Sequence, residues 1–161
     1  MVDLTSVVRP GDGIIWGQAC AEPQTLVESI VAQRDRLGGV GCFLGSSYSG
    51  IVKPEHADHL ALSSYCGIGT NRPLADAGVL DILPVPYSQL GPLIRDGKIR
   101  CDVLLIQVSP PNARGEYSMG LAADYLEEWR RGAEEGDRGP EVVDLLVHGQ
   151  NELVAVLGPV A

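Results

Sequence analysis

Residues 102–108 read Asp-Val-Leu-Leu-Ile-Gln-Val, a nearly unbroken apolar run. Such a run is typical of a strand that is buried on both faces in the interior of a parallel sheet. Four shorter apolar runs precede it, separated by turn-like or helix-like stretches, at 14–16, 40–44, 59–63 and 81–83. This alternation predicts an α/β domain with a mostly parallel, open sheet flanked by helices.

The strongest predicted helix spans about residues 24–37. Pro23 precedes it, its apolar residues recur on one helical face, and Gly38-Gly39 ends it. Shorter helices are predicted near 73–78 and 88–95, and a polar helix at 124–136. Two later apolar runs, 142–147 and 153–157, fit strands or helix turns equally well, because periodicity does not separate the two over so few residues.

Composition excludes several classes of function. The chain has 161 residues, 45% hydrophobic and 20% charged, enough for one domain with a substantial core. A net charge of −9 disfavours nucleic acid and anionic membranes, and 5% aromatic residues argues against base-stacking platforms. No apolar run reaches the ~18 residues of a membrane span, and residues 1–12 lack a secretory pattern. We therefore expect a cytoplasmic protein with no nucleic-acid or membrane partner.

The charge distribution suggests a boundary near residue 125. Residues 126–161 contain 8 acidic and 3 basic side chains, so more than half of the net charge lies in this short segment. We predict an α/β domain over residues 1–125 and a divergent acidic segment over 126–161.

Three segments that follow predicted strands combine small residues with hydrogen-bonding groups. Residues 16–23 lead into the first helix, whose N-terminus offers free N–H groups to an anion or a thioester oxygen. Residues 65–73 contain paired glycines and Arg72, which suits a carboxylate or phosphate. Residues 107–118 contain two prolines that force the chain outward after a buried strand. Each segment is also explained by an ordinary turn that requires small residues.

Ligands of open α/β sheets bind where such loops meet. The predicted substrate-binding residues are Gly17, Gln18, Ala19, Glu22, Pro23, Gly67, Gly69, Asn71, Arg72, Ser109, Pro110 and Asn112.

Cysteine and histidine give weaker indications. Cys42 and Cys101 lie within apolar runs and are expected to be buried, whereas Cys20 and Cys66 fall in loops without a basic neighbour to activate a thiolate. His56 and His59 flank an acidic residue, yet a turn that enters a strand explains them better than a metal site. We predict neither a metal nor a catalytic thiol, although a small hydrolase using Cys20 or Cys66 stays open.

Taken in order, four loop sequences resemble the N-terminal domain of the acetyl-CoA hydrolase/transferase family, which includes 4-hydroxybutyrate CoA-transferase-like enzymes. They are Ile-Trp-Gly-Gln-Ala-Cys-Ala-Glu-Pro-Gln-Thr-Leu at 15–26, Phe-Leu-Gly-Ser-Ser-Tyr-Ser at 43–49, Gly-Ile-Gly-Thr-Asn-Arg-Pro at 67–73 and Gln-Val-Ser-Pro-Pro-Asn at 107–112. The resemblance extends in order through nearly all of residues 1–125. It implies a CoA-transferase-like α/β fold.

The resemblance also implies covalent chemistry in which a glutamate takes the acyl group from CoA, and a glutamyl–CoA thioester then passes CoA to a carboxylate or is hydrolysed. Coenzyme A and acyl-CoA would be substrates, with no separate cofactor. In the family that glutamate belongs to a second domain, which has no counterpart in this sequence, so no catalytic residue is assigned here. We expect a truncated or split enzyme that is inactive alone and pairs with a complementing C-terminal chain or with itself. The alternative is a non-catalytic interaction module that pairs with a full-length homologue.

Overall fold

A single mixed sheet organises the molecule. The computed structural model describes residues 2–110, 112–114, 117–119 and 124–126, together with the backbone of 142–148 and 152–157. Seven strands within these residues form one sheet in the order β4-β3-β2-β1-β5-β7-β6. They are β1 (Gly13–Trp16), β2 (Val40–Leu44), β3 (Leu60–Ser64), β4 (Leu80–Ile82), β5 (Val103–Gln107), β6 (Val142–His148) and β7 (Glu152–Leu157).

Strands β1 to β5 run parallel to one another, as the sequence predicts. Ile14 lies between Cys42 of β2 and Val103 of β5, and all four residues of β1 are buried. Every predicted strand lies within one residue of its observed position. The predicted α/β fold with a mostly parallel, open sheet is confirmed.

Strands β6 and β7 extend the sheet beyond β5 in the antiparallel sense. All five residues of β5 pair with β7, from Val103 opposite Val156 to Gln107 opposite Glu152. Both apolar runs that periodicity left undecided are therefore strands. Strands β6 and β7 continue the sheet that β1 to β5 form, while the predicted boundary at 125 stays a prediction.

Helices cover both faces of the sheet. On the first face, α1 (Gln24–Gln33) and α2 (Arg72–Asp76) contribute Leu26, Ile30 and Leu74 to a core with the inward residues of the strands. On the second face, α3 (Leu90–Arg95) packs Leu90 and Ile94 against Ile15, Phe43 and Leu104. Tyr125 and Leu126 complete this second core.

The helix boundaries differ slightly from the prediction. α1 ends at Gln33, and residues 34–37 continue as turns toward Gly38, whose φ of +78° requires a glycine. α3 begins two residues late, because residues 87–89 form a 3₁₀ turn. The predicted polar helix at 124–136 lies mostly outside the described residues. Among the helices that are described, none has the length and apolar character that crossing a bilayer requires.

Candidate functional site

The predicted binding segments meet at one end of the sheet. Residues 17–23 follow β1, residues 65–72 follow β3, and residues 108–112 follow β5. Because these strands are parallel, their carboxyl ends lie on the same side, which we call the carboxyl edge. A fourth segment, residues 45–49 after β2, lies between the first two and joins them.

Gln18 is the centre of the hydrogen-bonding at this edge. Its Oε1 atom accepts bonds from the Ser46 backbone N–H at 2.8 Å and the Tyr65 hydroxyl at 2.9 Å. Its Nε2 atom donates to Asp124 Oδ1 at 3.1 Å. The backbone adds a further link, from Ala19 N–H to the Ser46 carbonyl at 2.9 Å. One half-buried amide therefore connects the ends of β1, β2 and β3 to a segment more than a hundred residues away.

Glu22 holds the 45–49 segment in place. It is 3% exposed, and its carboxylate accepts four hydrogen bonds. The Ser47 and Ser49 hydroxyls donate at 2.9 Å each, and the backbone N–H groups of Tyr48 and Ser49 donate at 3.2 and 3.1 Å. The carboxylate is thus used within the protein, and Glu22 shapes the site by fixing its neighbouring loop.

Asn71 and Thr70 attach the third strand's loop to the same segment. Asn71 is 1% exposed, and its Nδ2 atom donates to the Gly45 carbonyl at 2.8 Å. The Thr70 hydroxyl donates to the Ser47 carbonyl. Two of the three predicted segments are therefore brought together through the loop that follows β2.

Close backbone packing explains the glycines among the predicted residues. A Cβ atom at Gly17 would lie 2.6 Å from the Ala21 carbonyl oxygen, and one at Gly67 would lie 2.8 Å from Ile82. Gly69 has a φ of +60°, which favours glycine. Ala19, with a φ of +51°, adopts this conformation without being a glycine.

The remaining predicted residues differ in their accessibility. Pro23 is buried at the start of α1, whereas the Arg72 side chain is exposed at the start of α2. An exposed guanidinium beside the joined loops can reach a carboxylate or phosphate in solution.

The third predicted segment closes on itself at the end of β5. Ser109 N–H donates to the Ser118 carbonyl at 2.8 Å, and Ser118 N–H donates to the Ser109 hydroxyl at 3.0 Å. Asn112 Oδ1 accepts from Arg114 N–H at 2.8 Å, while Pro110 is exposed. The segment lies at the carboxyl edge because β5 is the neighbour of β1. Residues 111, 115 and 116 lie outside the described residues.

Sequence reasoning missed Tyr65, Asp124 and Tyr125. The Tyr125 hydroxyl donates to the Trp16 carbonyl at 2.7 Å, and burial raises the pKa of this phenol well above its usual value. Burial raises the pKa of Tyr65 as well. Tyr65 begins the predicted segment 65–73 and directly follows the observed β3, but it is not among the predicted binding residues. Asp124 and Tyr125 meet Gln18 and Trp16 only through the tertiary fold, so no local pattern identifies them.

Four aromatic rings pack against one another beside this edge. Tyr87 contacts Tyr65 and Tyr125 edge-on or tilted, with ring centroids 5.7 and 6.2 Å apart. Phe43 packs edge-on against Tyr125 at 6.1 Å. Such contacts fix the rings that position the hydroxyl groups.

The cysteines and histidines differ in their burial. Burial raises the pKa of Cys42 to about 12 and raises that of Cys101, so both thiols are held protonated. Cys20 is exposed and Cys66 partly so. His56 Nδ1 accepts from Lys53 N–H at 3.1 Å in a turn before β3, and His59 is exposed. Within the described residues there is no group of three or more metal-ligating side chains.

A separate cleft of about 270 Å³ lies on the second face of the sheet. It opens between the segments that precede β1 and β5, and none of the predicted site residues lines it. Its lining residues are Gly11, Asp12, Gly13, Gly41, Phe43, Ser63, Asp81, Leu83, Lys98, Ile99 and Arg100. The carboxyl edge and this cleft are therefore distinct places on the molecule.

The fold is that of CoA-transferase-like proteins. RipA from Yersinia pestis superimposes with a TM-score of 0.72 at 22% identity, covering 80% of this chain and 33% of RipA. A 4-hydroxybutyrate CoA-transferase from Porphyromonas gingivalis superimposes with a TM-score of 0.55 at 19% identity, covering 92% of this chain and 34% of that one.

Sequence similarity points to the same class. The chain is 29% identical over 117 residues to 4-hydroxybutyrate coenzyme A transferase of Clostridium kluyveri, covering 70% of this chain and 27% of that enzyme. No protein-family model matches the chain. The predicted resemblance to the N-terminal region of CoA-transferases is confirmed as a similarity in sequence and in fold. The chain spans about a quarter of the length of its curated relative and a third of the solved structures.

Proposed function

We propose that this chain supplies the acyl- and carboxylate-facing part of an enzyme that transfers CoA between thioesters and carboxylates, or hydrolyses the thioester. The observation that carries the proposal is the 117-residue similarity to 4-hydroxybutyrate coenzyme A transferase. The four loop sequences that carry the resemblance, at 15–26, 43–49, 67–73 and 107–112, also support the proposal. The substrate classes are acyl-CoA and small carboxylates, with no separate cofactor.

The reaction proposed here is divided between two polypeptide parts. A glutamate of the second part attacks the thioester carbonyl and releases the CoA thiolate, which then attacks the acyl-glutamyl anhydride and expels the free acid. The resulting glutamyl–CoA thioester passes CoA to an acceptor carboxylate by the reverse steps, or is hydrolysed. The present chain shapes the acyl pocket with residues 17–23, and its exposed Arg72 attracts the carboxylate.

Exposed apolar side chains support a partner at this edge. Among the described residues, large hydrophobic side chains are exposed at Tyr48, Ile68, Ile82, Tyr87 and Tyr117, and each lies at or beyond the carboxyl end of a strand. We call these five residues the exposed rim. Clustered exposed apolar residues mark interaction sites. The rim also suits the alternative function, a non-catalytic module that pairs with a full-length homologue.

Thioester exchange tests the proposal and separates these alternatives. The assay follows transfer of CoA from acetyl-CoA to a carboxylate by this chain alone, then mixed with a polypeptide bearing the second part. We expect exchange only in the mixture. Arg72→Ala should raise the KM for the carboxylate roughly 10-fold or more, because it removes a charge-assisted contact. Arg36→Ala, at another exposed arginine, is the control. Complex formation without exchange would favour the non-catalytic module.

A further inference from the structure

Asp124 occupies a constrained position beside the candidate site. Its φ is +57°, a conformation that costs energy for a non-glycine residue although aspartate and asparagine tolerate it best. Its Oδ1 atom accepts from Gln18 Nε2 at 3.1 Å and from Tyr125 N–H at 2.9 Å. Its Oδ2 atom is buried, and among the described residues no group is within hydrogen-bonding geometry of it. A strained backbone and an unmet buried oxygen at one residue call for a functional explanation.

The Gln18 amide has two ends, and only one orientation satisfies its neighbours. Ser46 N–H can only donate, so the amide oxygen must face it. The amide nitrogen then needs an acceptor, which Asp124 Oδ1 provides. Ser46 N–H and the Asp124 carboxylate therefore favour the same orientation from opposite ends of the amide, and in it Oε1 also receives the Tyr65 hydroxyl.

Neighbouring residues hold the Gln18 side chain and Asp124 in place. A Cβ atom at Gly45 would lie 2.5 Å from Gln18 Cβ and Oε1, so the Gln18 side chain packs directly against that backbone. The Tyr125 hydroxyl bonds to the Trp16 carbonyl at 2.7 Å and thereby ties Asp124 to the end of β1. Such supporting contacts are what fix a functional group in a single geometry.

We propose that Asp124 is a positioning residue, which fixes the orientation of the Gln18 amide and through it the placement of Ser46 and Tyr65 at the carboxyl edge. The functional importance of this placement rests on the proposed function. The hydrogen-bonding role does not, because it concerns contacts within the chain itself.

The charge of Asp124 gives the proposal a distinctive signature. Tyr65 and Tyr125 face it, and Cys66 and Cys101 lie near the same phenols. Asp124 is the carboxyl group among these neighbours, and carboxyl groups change charge at a lower pH than phenols do. Burial raises the pKa of Asp124 above its ordinary value of 3.8. Its protonation should weaken the bond from Gln18 without removing the acceptor.

Nuclear magnetic resonance of the Gln18 side-chain amide tests the proposal on the full chain without acyl-CoA. We expect slow hydrogen exchange at Nε2 and a chemical shift that titrates with Asp124. Asp124→Ala should accelerate that exchange at least 10-fold, whereas Asp76→Ala, at an exposed aspartate, should not. Asp124→Asn suits the positive φ and keeps an acceptor, so it should retain slow exchange and lose the titration.

Two results would overturn the proposal: exchange in Asp124→Ala equal to that of the parent, or a titration that persists in Asp124→Asn. If Asp124→Ala does not fold, the Asn variant decides the question. Failure of the thioester-exchange assay would leave these observations unchanged, so the two proposals fail separately.

Discussion

Glu22 shows how a residue predicted to touch substrate can serve the site indirectly. Its carboxylate takes four hydrogen bonds from the 47–49 segment and is almost completely buried. Glu22→Ala leaves those donors without their acceptor, and we expect a loss of about 3 kcal/mol in the free energy of unfolding. Denaturant unfolding measures it, with Glu28→Ala at an exposed position as the control. A loss below about 1 kcal/mol would show that the hydrogen-bond donors of the 47–49 segment find other acceptors when Glu22 is absent.

We expect the stability of the fold to depend on pH through the charge of Asp124. Burial raises its pKa above 3.8, so the folded chain binds this proton more tightly than the unfolded chain does. The stability from this group is therefore fully present below pH 3.8 and is lost as pH rises through the raised pKa. Asp124→Asn should raise Tm at pH 7 and lose that advantage as pH falls toward 3.8. Thermal melts across this range check the sign, and a lower Tm at pH 7 would contradict it.

At the residue scale, the sequence predicts positions better than roles. Gln18, Glu22 and Asn71 are predicted binding residues in segments that follow strands, and all three lie at the carboxyl edge. The sequence does not reveal that Glu22 and Asn71 would be buried, since their partners come from the loop after a different strand. Asp124 was missed because its bond to Gln18 spans 106 positions.

At the scale of the element, β2 and its following loop offer a matched pair of glycines. A Cβ atom at Gly45 would lie 2.5 Å from Gln18, whereas one at Gly41 meets its nearest atom at 3.9 Å. Gly45→Ala should destabilise the fold by ~1–3 kcal/mol through overpacking. Gly41→Ala should be neutral or stabilise it by up to ~1 kcal/mol, because a strand favours alanine over glycine. Equal effects of the two substitutions in denaturant unfolding would mean that the Gln18 side chain moves away from the added methyl group at little cost.

The β6–β7 hairpin protects the edge of the parallel sheet. β7 pairs with every residue of β5, and four of the five residues of β5 are buried. Removal of residues 127–161 would expose an apolar edge strand to other molecules. We expect the shortened chain to aggregate or dimerise in light scattering at concentrations where the full chain does not. A monomeric, cooperatively melting product would show that β5 needs no such cover.

The sequence does not predict that β6 and β7 are strands. The parallel strands are predicted to within one residue, because each is a compact apolar run bounded by turns. Residues 142–157 gave two apolar runs too short for periodicity to assign. Their identity as strands follows from a long-range requirement, the pairing of the exposed side of β5. Local patterns contain no information about that partner.

At the scale of the whole molecule, two features bear on what the protein binds: its net charge and its exposed apolar side chains. The net charge of −9 disfavours binding to the phosphate backbone of nucleic acid. The large apolar side chains that remain exposed in the described residues gather at the carboxyl edge. Exposed apolar side chains of this kind suit docking against a polypeptide partner, and within the described residues they follow the same strands as the loops of the candidate site.

This arrangement makes a prediction about assembly that is independent of stability. Tyr48 and Ile68 are 70% and 62% exposed, so changing both to serine should leave Tm nearly unchanged. If the exposed rim docks the second part of the enzyme, the double variant should weaken complex formation at least 10-fold, because apolar anchors dominate such interfaces. Titration of the parent and variant chains against that part measures it. A second double variant, Glu28→Ser with Arg36→Ser, alters exposed residues away from the edge and should bind like the parent. Equal affinity of both variants would place the partner elsewhere on the molecule and leave the rim without this role.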